Sequence, residues 1–482
     1  MQHRSGGYYF MKHISYKALA LFSVSLLTLP SCGKKSDKIK ISIGMWPASQ
    51  LLQDNKMFEQ WKTRFETDYP QYEVVANTYE YSVQTVMAKA QAHKLPTIFQ
   101  TWFTEPSMLV ERQYIKDITD QLNELGWLDK MDPSMKDTLT FNNRTYGVPR
   151  DGYGLGLLLN KKTLGEAGLL PEYKDANGKT RYKIYDDDGN PLYPTTFEQI
   201  ASFSEDITST SETKGILILS ANKNGGWQFS NIAWNFGAVL EKKDENGKWI
   251  ATLNDPKAVQ ALEWIKEMKQ NNYLLQSPTI SYSDWSSDIT KKVAMAFVGS
   301  DVIKLATTTG NVDKDDIAFV PMPKGPNGDQ HALFGGTPFV IAENATDEQA
   351  LGALRFLDYM GRSPEVSESN LKAMDEGYQV SQAKGEPIIE SIRPWTNSDY
   401  KTKVAELDKK YINVDTDNYK DFFSTINTIR HAEVPYYAQE MYTALDLVIS
   451  KVLSNPDTAD CKALLDTANA NFNNNYMSKV NA

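Results

Sequence analysis

Cysteine and histidine are scarce in this chain of 482 residues: Cys32 and Cys461 are its only cysteines, and it has five histidines. If the Cys32 thiol is committed elsewhere, Cys461 has no partner and no disulfide framework is possible. The histidines form no HExxH pair, which leaves zinc hydrolysis without visible ligands. No GxSxG is present, so the usual serine-hydrolase elbow is missing too. Gly152, Gly154 and Gly156 fall short of a dinucleotide fingerprint because Leu157 stands where the third glycine is required. Gly178-Lys179-Thr180 ends like a phosphate-binding loop, but Tyr173 occupies the place of its first glycine. Positive charge is also short, with 51 Lys and Arg against 61 Asp and Glu and no basic cluster outside the extreme N-terminus. A net charge of -10 gives nucleic acid no electrostatic footprint. Acidic residues are plentiful, so counting alone leaves a two-carboxylate glycosidase open.

What the chain does have is aromatic residues, 11% of the total with ten Trp and twenty-five Tyr, and enough apolar residues for two ordinary domains or one bilobal one. Some of those rings must lie at a surface or in a cleft. At the N-terminus, Lys12, His13 and Lys17 precede an apolar run from Ala18 to Leu29, too short to span a bilayer but right for a signal-peptide core. The run ends at Leu29-Pro30-Ser31-Cys32-Gly33, which resembles a bacterial lipobox with Pro30 as a less usual occupant. We therefore expect a signal peptide over 1–31, with Met1 or Met11 as the start, a diacylated Cys32, and a polar tether over 32–38. Two acyl chains give stable anchoring where one is marginal. Cys461 then reads as a small buried hydrophobe on a helix.

The stretch Tyr146 to Lys162, YGVPRDGYGLGLLLNKK, reads as the centre of the fold. Pro149 keeps Val148 extended, and Leu157 to Leu159 suit a strand buried on both faces. Its alternating glycines leave the backbone bare for close approach by another segment or a ligand. Arg150 and Asp151 then face either the interior or a cleft. Before it, Ile39 to Trp46, Val74 to Ala76 and Leu95 to Gln100 read as strands, separated by helices with Phe58, Trp61 and Phe65 and with Ser82 to Ala92. That order is the order of a parallel α/β sheet, whose ligands sit beyond the carboxyl ends of the strands. Asp175 to Asn190 is a hydrophilic insertion with the turns Asn177-Gly178 and Asp188-Gly189, read as a solvated hairpin in preference to a calcium loop. Thr195 with Glu198 suggests a capping box, and Asp255-Pro256 opens a helix with the stripe Val259, Leu262, Ile265 and Met268.

Taken in order, IKISIGMW, FETDYPQYEV, LPTIFQTW, DITDQL, YGVPRDGYGLGLLLNKKTLGEAGL and KVAMAFVGSD resemble the extracellular solute-binding proteins of ABC importers. The closest group is the sugar-binding family that includes maltose- and oligosaccharide-binding lipoproteins. The resemblance implies an α/β, two-lobed periplasmic-binding-protein-like fold (type II), each lobe a mostly parallel sheet flanked by helices. Lobe 1 would take 39–149 with 335–363 and lobe 2 would take 150–334 with 364–482, with hinge crossings near Val148, Gly335 and Ser363. It also implies no enzyme activity and no cofactor or metal. The partners would be a small-molecule carbohydrate, ABC permease membrane subunits with their ATPase, and the membrane through the lipid; the protein would be a monomer. On this reading Trp46, Trp102, Trp227 and Trp395 are stacking candidates, Asp151 and Asp301 accept hydroxyl hydrogen bonds, and Arg150 and Arg393 donate them. Tyr81 and Gln84 are lesser candidates at a helix start. Asp301 stands where the family often has a sugar-stacking Trp. Two other readings fit the same aromatics, a surface glycoside hydrolase and a ligand-reporting subunit of a sensor.

Overall fold

In the computed structural model, the strand Gly147–Asn160 belongs to two sets of partners in turn, and the rest of the chain is arranged about that change. The structure describes residues 38–275 and 277–480; the expected signal peptide and Cys32 lie outside the described residues. Up to Gly154 the strand pairs antiparallel with the return strand Ala332–Ile341. From Leu155 onward it lies between Val293–Gly299 and Ile317–Pro321, so that Leu157 faces Phe297 on one side and Val320 on the other. Leu155 to Leu159 are also fully buried on both faces, within the larger apolar cluster that packs around this part of the sheet. At Gly156 a Cβ would lie 2.7 Å from the Val320 carbonyl oxygen, so glycine allows the third strand to close on the second.

The sheet runs Tyr72–Ala76, Ile39–Ile43, Ile98–Gln100, Ala332–Ile341, Gly147–Asn160, Val293–Gly299, Lys214–Leu217. Its outer pairs are parallel, as the strand-helix-strand order anticipates, but every pair involving the crossing strand Gly147–Asn160 is antiparallel. The sheet is therefore mixed. Parallel pairs need a long crossover, which the helices Leu52–Asp68 and Val83–Gln91 supply, whereas a chain that enters and returns on neighbouring strands pairs antiparallel.

Two large apolar clusters flank this arrangement. One gathers Ile41, Ile43, Trp61, Phe65, Val148, Phe339 and Leu354. The other gathers Leu155 to Leu159, Phe297, Phe319, Leu445 and Phe472. The chain past Ser363 divides between them. Ala373, Trp395, Tyr400 and Val404 pack with the first cluster, while the helices Lys420–Ile429, Ala438–Ser454 and Cys461–Phe472 pack with the second. Cys461 is buried on the last of these.

Local signals mostly do what their chemistry suggests. Asp255 accepts the Lys257 amide at the start of its helix. The box expected from Thr195 and Glu198 is shifted by one residue: Thr196 is the cap and accepts the Gln199 amide, because Thr195 instead donates its own amide to the Gln199 side chain. In the insertion, Asp175 accepts the amides of Asn177 and Lys179, closing the hairpin Glu172–Lys174 and Thr180–Tyr182. Among the described residues no helix is long and apolar enough to cross a membrane.

Candidate functional site

Between the two clusters lies a cleft of about 360 Å³, within the range of small-molecule sites. One wall follows the carboxyl end of the strand Ile98–Gln100. There Trp102 is 43% exposed, with the Tyr81 ring edge-on at 5.3 Å behind it. The Tyr81 hydroxyl donates to Glu105 Oε2 at 2.5 Å. Thr104 and, on the return strand, Thr337 complete this side.

The opposite wall is built on the helix Asn224–Asn235. Gly225 and Gly226 at its first turn let the helix Ala438–Ser454 lie directly against it: a Cβ on Gly226 would meet the Tyr442 backbone at 2.3 Å. Asp446 on that second helix accepts the amides of Lys223 and Gly226, a charged cap suited to a helix N-terminus. The preceding Asn222 and Lys223 adopt left-handed φ values of 58° and 71°, and that tight entry brings both to the cleft. One turn on, Trp227 stands edge-on to Tyr282 at 5.5 Å and to Tyr153 at 6.3 Å. Tyr282 is fixed in turn, its amide donating to Asn224 Oδ1 and its hydroxyl accepting from the Gly299 amide. Glu433, just past the strand Arg430–Ala432, accepts from the Tyr442 hydroxyl at 2.7 Å. Gln439 Nε2 donates to Thr104 Oγ1 at 3.2 Å, a contact from one wall to the other.

Burial shapes the electrostatics here. Glu433 is pushed up to about 7 by desolvation, which the Tyr442 hydroxyl opposes and the nearby Glu105 reinforces. Asp301 opens to solvent along the cleft yet is surrounded by protein, and desolvation with the Asp151 charge raises it to about 6. Glu105 is raised by burial, against the hydrogen bond from Tyr81. The site thus offers ring faces for apolar patches and carboxylates that accept from hydroxyl or ammonium groups.

Of the residues expected from sequence, Trp102, Trp227 and Asp301 come together on this cleft, with Tyr81 behind Trp102. Asp151 pairs in register with Thr337 and is held by Arg150, whose Nε donates to it at 2.6 Å. Arg150 also donates to Gln100 Oε1 at 3.0 Å. The others are placed elsewhere. Trp46 is buried, edge-on to Phe58. Trp395 is 1% exposed against Trp127, with its Nε1 donating to the Arg362 carbonyl oxygen. Arg393 donates to the Tyr378 hydroxyl and to Asp408. Gln84 lies in the helix Val83–Gln91, but its side chain is outside the described ones.

Tyr153, Tyr282, Tyr442 and Glu433 were not foreseen. For Tyr153 a signal existed: strand alternation puts it on the same face as Asp151. The other three have no local motif and meet only through tertiary packing.

A family model described as bacterial extracellular solute-binding protein matches residues 60–382, which span Trp102, Tyr153, Trp227, Tyr282 and Asp301. The chain belongs to that family. Its members are binding proteins, not enzymes. No curated protein matches the chain. Among solved structures, the GacH receptor of Streptomyces glaucescens, studied with acarbose, is similar at a TM-score of 0.65 and 16% identity, over 91% of this chain and 98% of that one. The substrate-binding protein Lmo0181 of Listeria monocytogenes, solved with cycloalternan, gives 0.65 and 13%, over 91% and 99%. The sugar-binding protein MalE of Xanthomonas citri gives 0.63 and 15%, over 92% and 98%. These likenesses establish the two-lobed fold.

Proposed function

We propose that this solute-binding protein captures a carbohydrate, an oligosaccharide, between its lobes and delivers it to the permease of an ABC importer. The observation that carries the reading is the cleft itself, where Trp102 on one wall and Trp227 with Tyr153 and Tyr282 on the other enclose carboxylates. Sugars present apolar CH faces edged by hydroxyls, so rings and charged acceptors recognise the two parts separately. The sugar ligands of the structurally similar receptors point the same way. In this proposal lobe 1 is built on 39–149 with 335–363 and lobe 2 on 150–334 with 364–482, with Ala373, Trp395, Tyr400 and Val404 reaching over to pack with lobe 1. Closure about the crossings near Val148, Gly335 and Ser363 is a population shift drawn by the ligand's preference for the closed form. A diacylated Cys32 holds the protein, as a monomer, outside the cytoplasmic membrane.

A thermal-shift screen over mono- and oligosaccharides tests this, since a ligand bound only by the native state raises the melting temperature by mass action. We expect one group of sugars to raise it and to be recovered intact. A flat response across the panel, or recovery of shortened sugars, would sink the proposal.

A further inference from the structure

We infer that the sugar taken by this cleft carries a protonated amine, and that Asp301 and Glu433 set this specificity. The inference rests on the carbohydrate reading above and narrows it. Two carboxylates, Asp301 and Glu433, line the same small volume, with Glu105 buried on the Tyr81 side and bonded to Tyr81 and Thr104, and among the described residues none of the three is ion-paired. Glu433 has one side-chain partner, the neutral Tyr442 hydroxyl on Oε1, and Asp301 has none. Some partly buried carboxylates of this chain are answered by cations, as Asp316 is by Arg181 and Asp408 by Arg393, and others by amides or hydroxyls, as Asp446 and Asp358 are. Arg150 and Lys304 act on Asp301 only from outside the lining, and among the described residues no cation pairs with Glu433, so the cleft has room for a positive group that the protein does not place there.

A bound ammonium would be that group. The ring faces of Trp102 and Trp227 reinforce the preference, because an aromatic quadrupole attracts cations and repels anions. A uronic acid would add negative charge to a site already carrying an excess of it. A neutral sugar could satisfy the lone pairs but would leave the charge uncompensated. Lys223 is the one cation in the lining, against the two carboxylates there, and its charge also faces Asp446, which holds its backbone amide.

Titration calorimetry on the mature chain at pH 7 decides the matter with four oligosaccharides of equal length: glucosamine, N-acetylglucosamine, glucose and galacturonic acid oligomers. The glucosamine oligomer should bind at least tenfold tighter than either neutral one, and the galacturonate oligomer weakest of all. In the double variant Asp301→Asn, Glu433→Gln, both near-isosteric changes, the gap between the amine and its N-acetyl form should shrink below threefold. Neutral or acidic oligomers binding as tightly as the amine would overturn the inference and leave the carbohydrate reading standing. Heat from none of the four would remove both. Should the double variant fail to fold, the ranking on the unmodified chain alone decides.

Discussion

Two groups of carboxylates in this molecule are treated in opposite ways. Around Arg181, which is 7% exposed, Asp175, Asp313, Asp315 and Asp316 all lie within ion-pair reach, the closest at 2.9 Å. They fasten the hairpin Glu172–Lys174 and Thr180–Tyr182 to the segment ahead of Ile317–Pro321. In the cleft, Asp301 and Glu433 line one volume, with the buried Glu105 near Glu433, and none of the three has such a partner among the described residues. The aromatic residues divide the same way: Trp127 and Trp395 are sealed against each other, while Trp102 and Trp227 face open space. Residue type does not separate structure from site here; what separates them is whether the protein itself completes the interaction.

If that division is right, each side should respond differently to substitution. The largest effect should come from Arg181→Met, which leaves Asp175 and the buried Asp316 without their ion pair and Asp313 and Asp315 with only Lys179 and Lys314. Removing one partner of a buried ion network costs about 3–5 kcal/mol, and urea unfolding should show it; a loss under about 1 kcal/mol would mean the cluster is only a surface feature. Trp395→Ala should follow with about 3 kcal/mol from the cavity it opens, whereas Trp102→Ala should cost well under that in the same assay. Next comes Trp227→Ala, which should weaken sugar binding by about 2 kcal/mol or more, read by calorimetry, with little change in the fold. Unchanged affinity would remove Trp227 from the site.

The smallest effect tests the unpaired side. Because Glu433 holds its proton more tightly folded than unfolded, its contribution to stability is fully present below the unfolded value, near 4.5, and is lost as pH rises through about 7. Glu433→Gln should flatten that part of the melting-temperature profile and leave the protein at pH 7.5 no less stable than before. A clear loss of stability there would show the carboxylate to be structurally required.

Much of this was legible in the sequence. The run Leu157 to Leu159 betrays a strand covered on both sides, and the alternating glycines mark close approach. In the structure, however, what approaches at Gly156 is the neighbouring strand and the Phe319 ring rather than a ligand. Trp102 and Trp227 follow a strand end and a Gly-Gly helix start, positions that face the cleft for topological reasons. Trp46 also follows a strand end but turns into the apolar face of the helix Leu52–Asp68, where Phe58 and Trp61 receive it. Period and composition cannot tell these two fates apart, since both are rings beyond a strand. Glu433 was invisible because its role depends on Tyr442, nine residues away on another element, and on Glu105 across the cleft.

The central claim, that a solute held between Trp102 and Trp227 draws two lobes together, is met most directly by small-angle scattering with and without a sugar that stabilises the protein. The account predicts a smaller radius of gyration when the sugar is bound, lost in Trp227→Ala at the same sugar concentration. Superimposable curves for the free and saturated protein would contradict it.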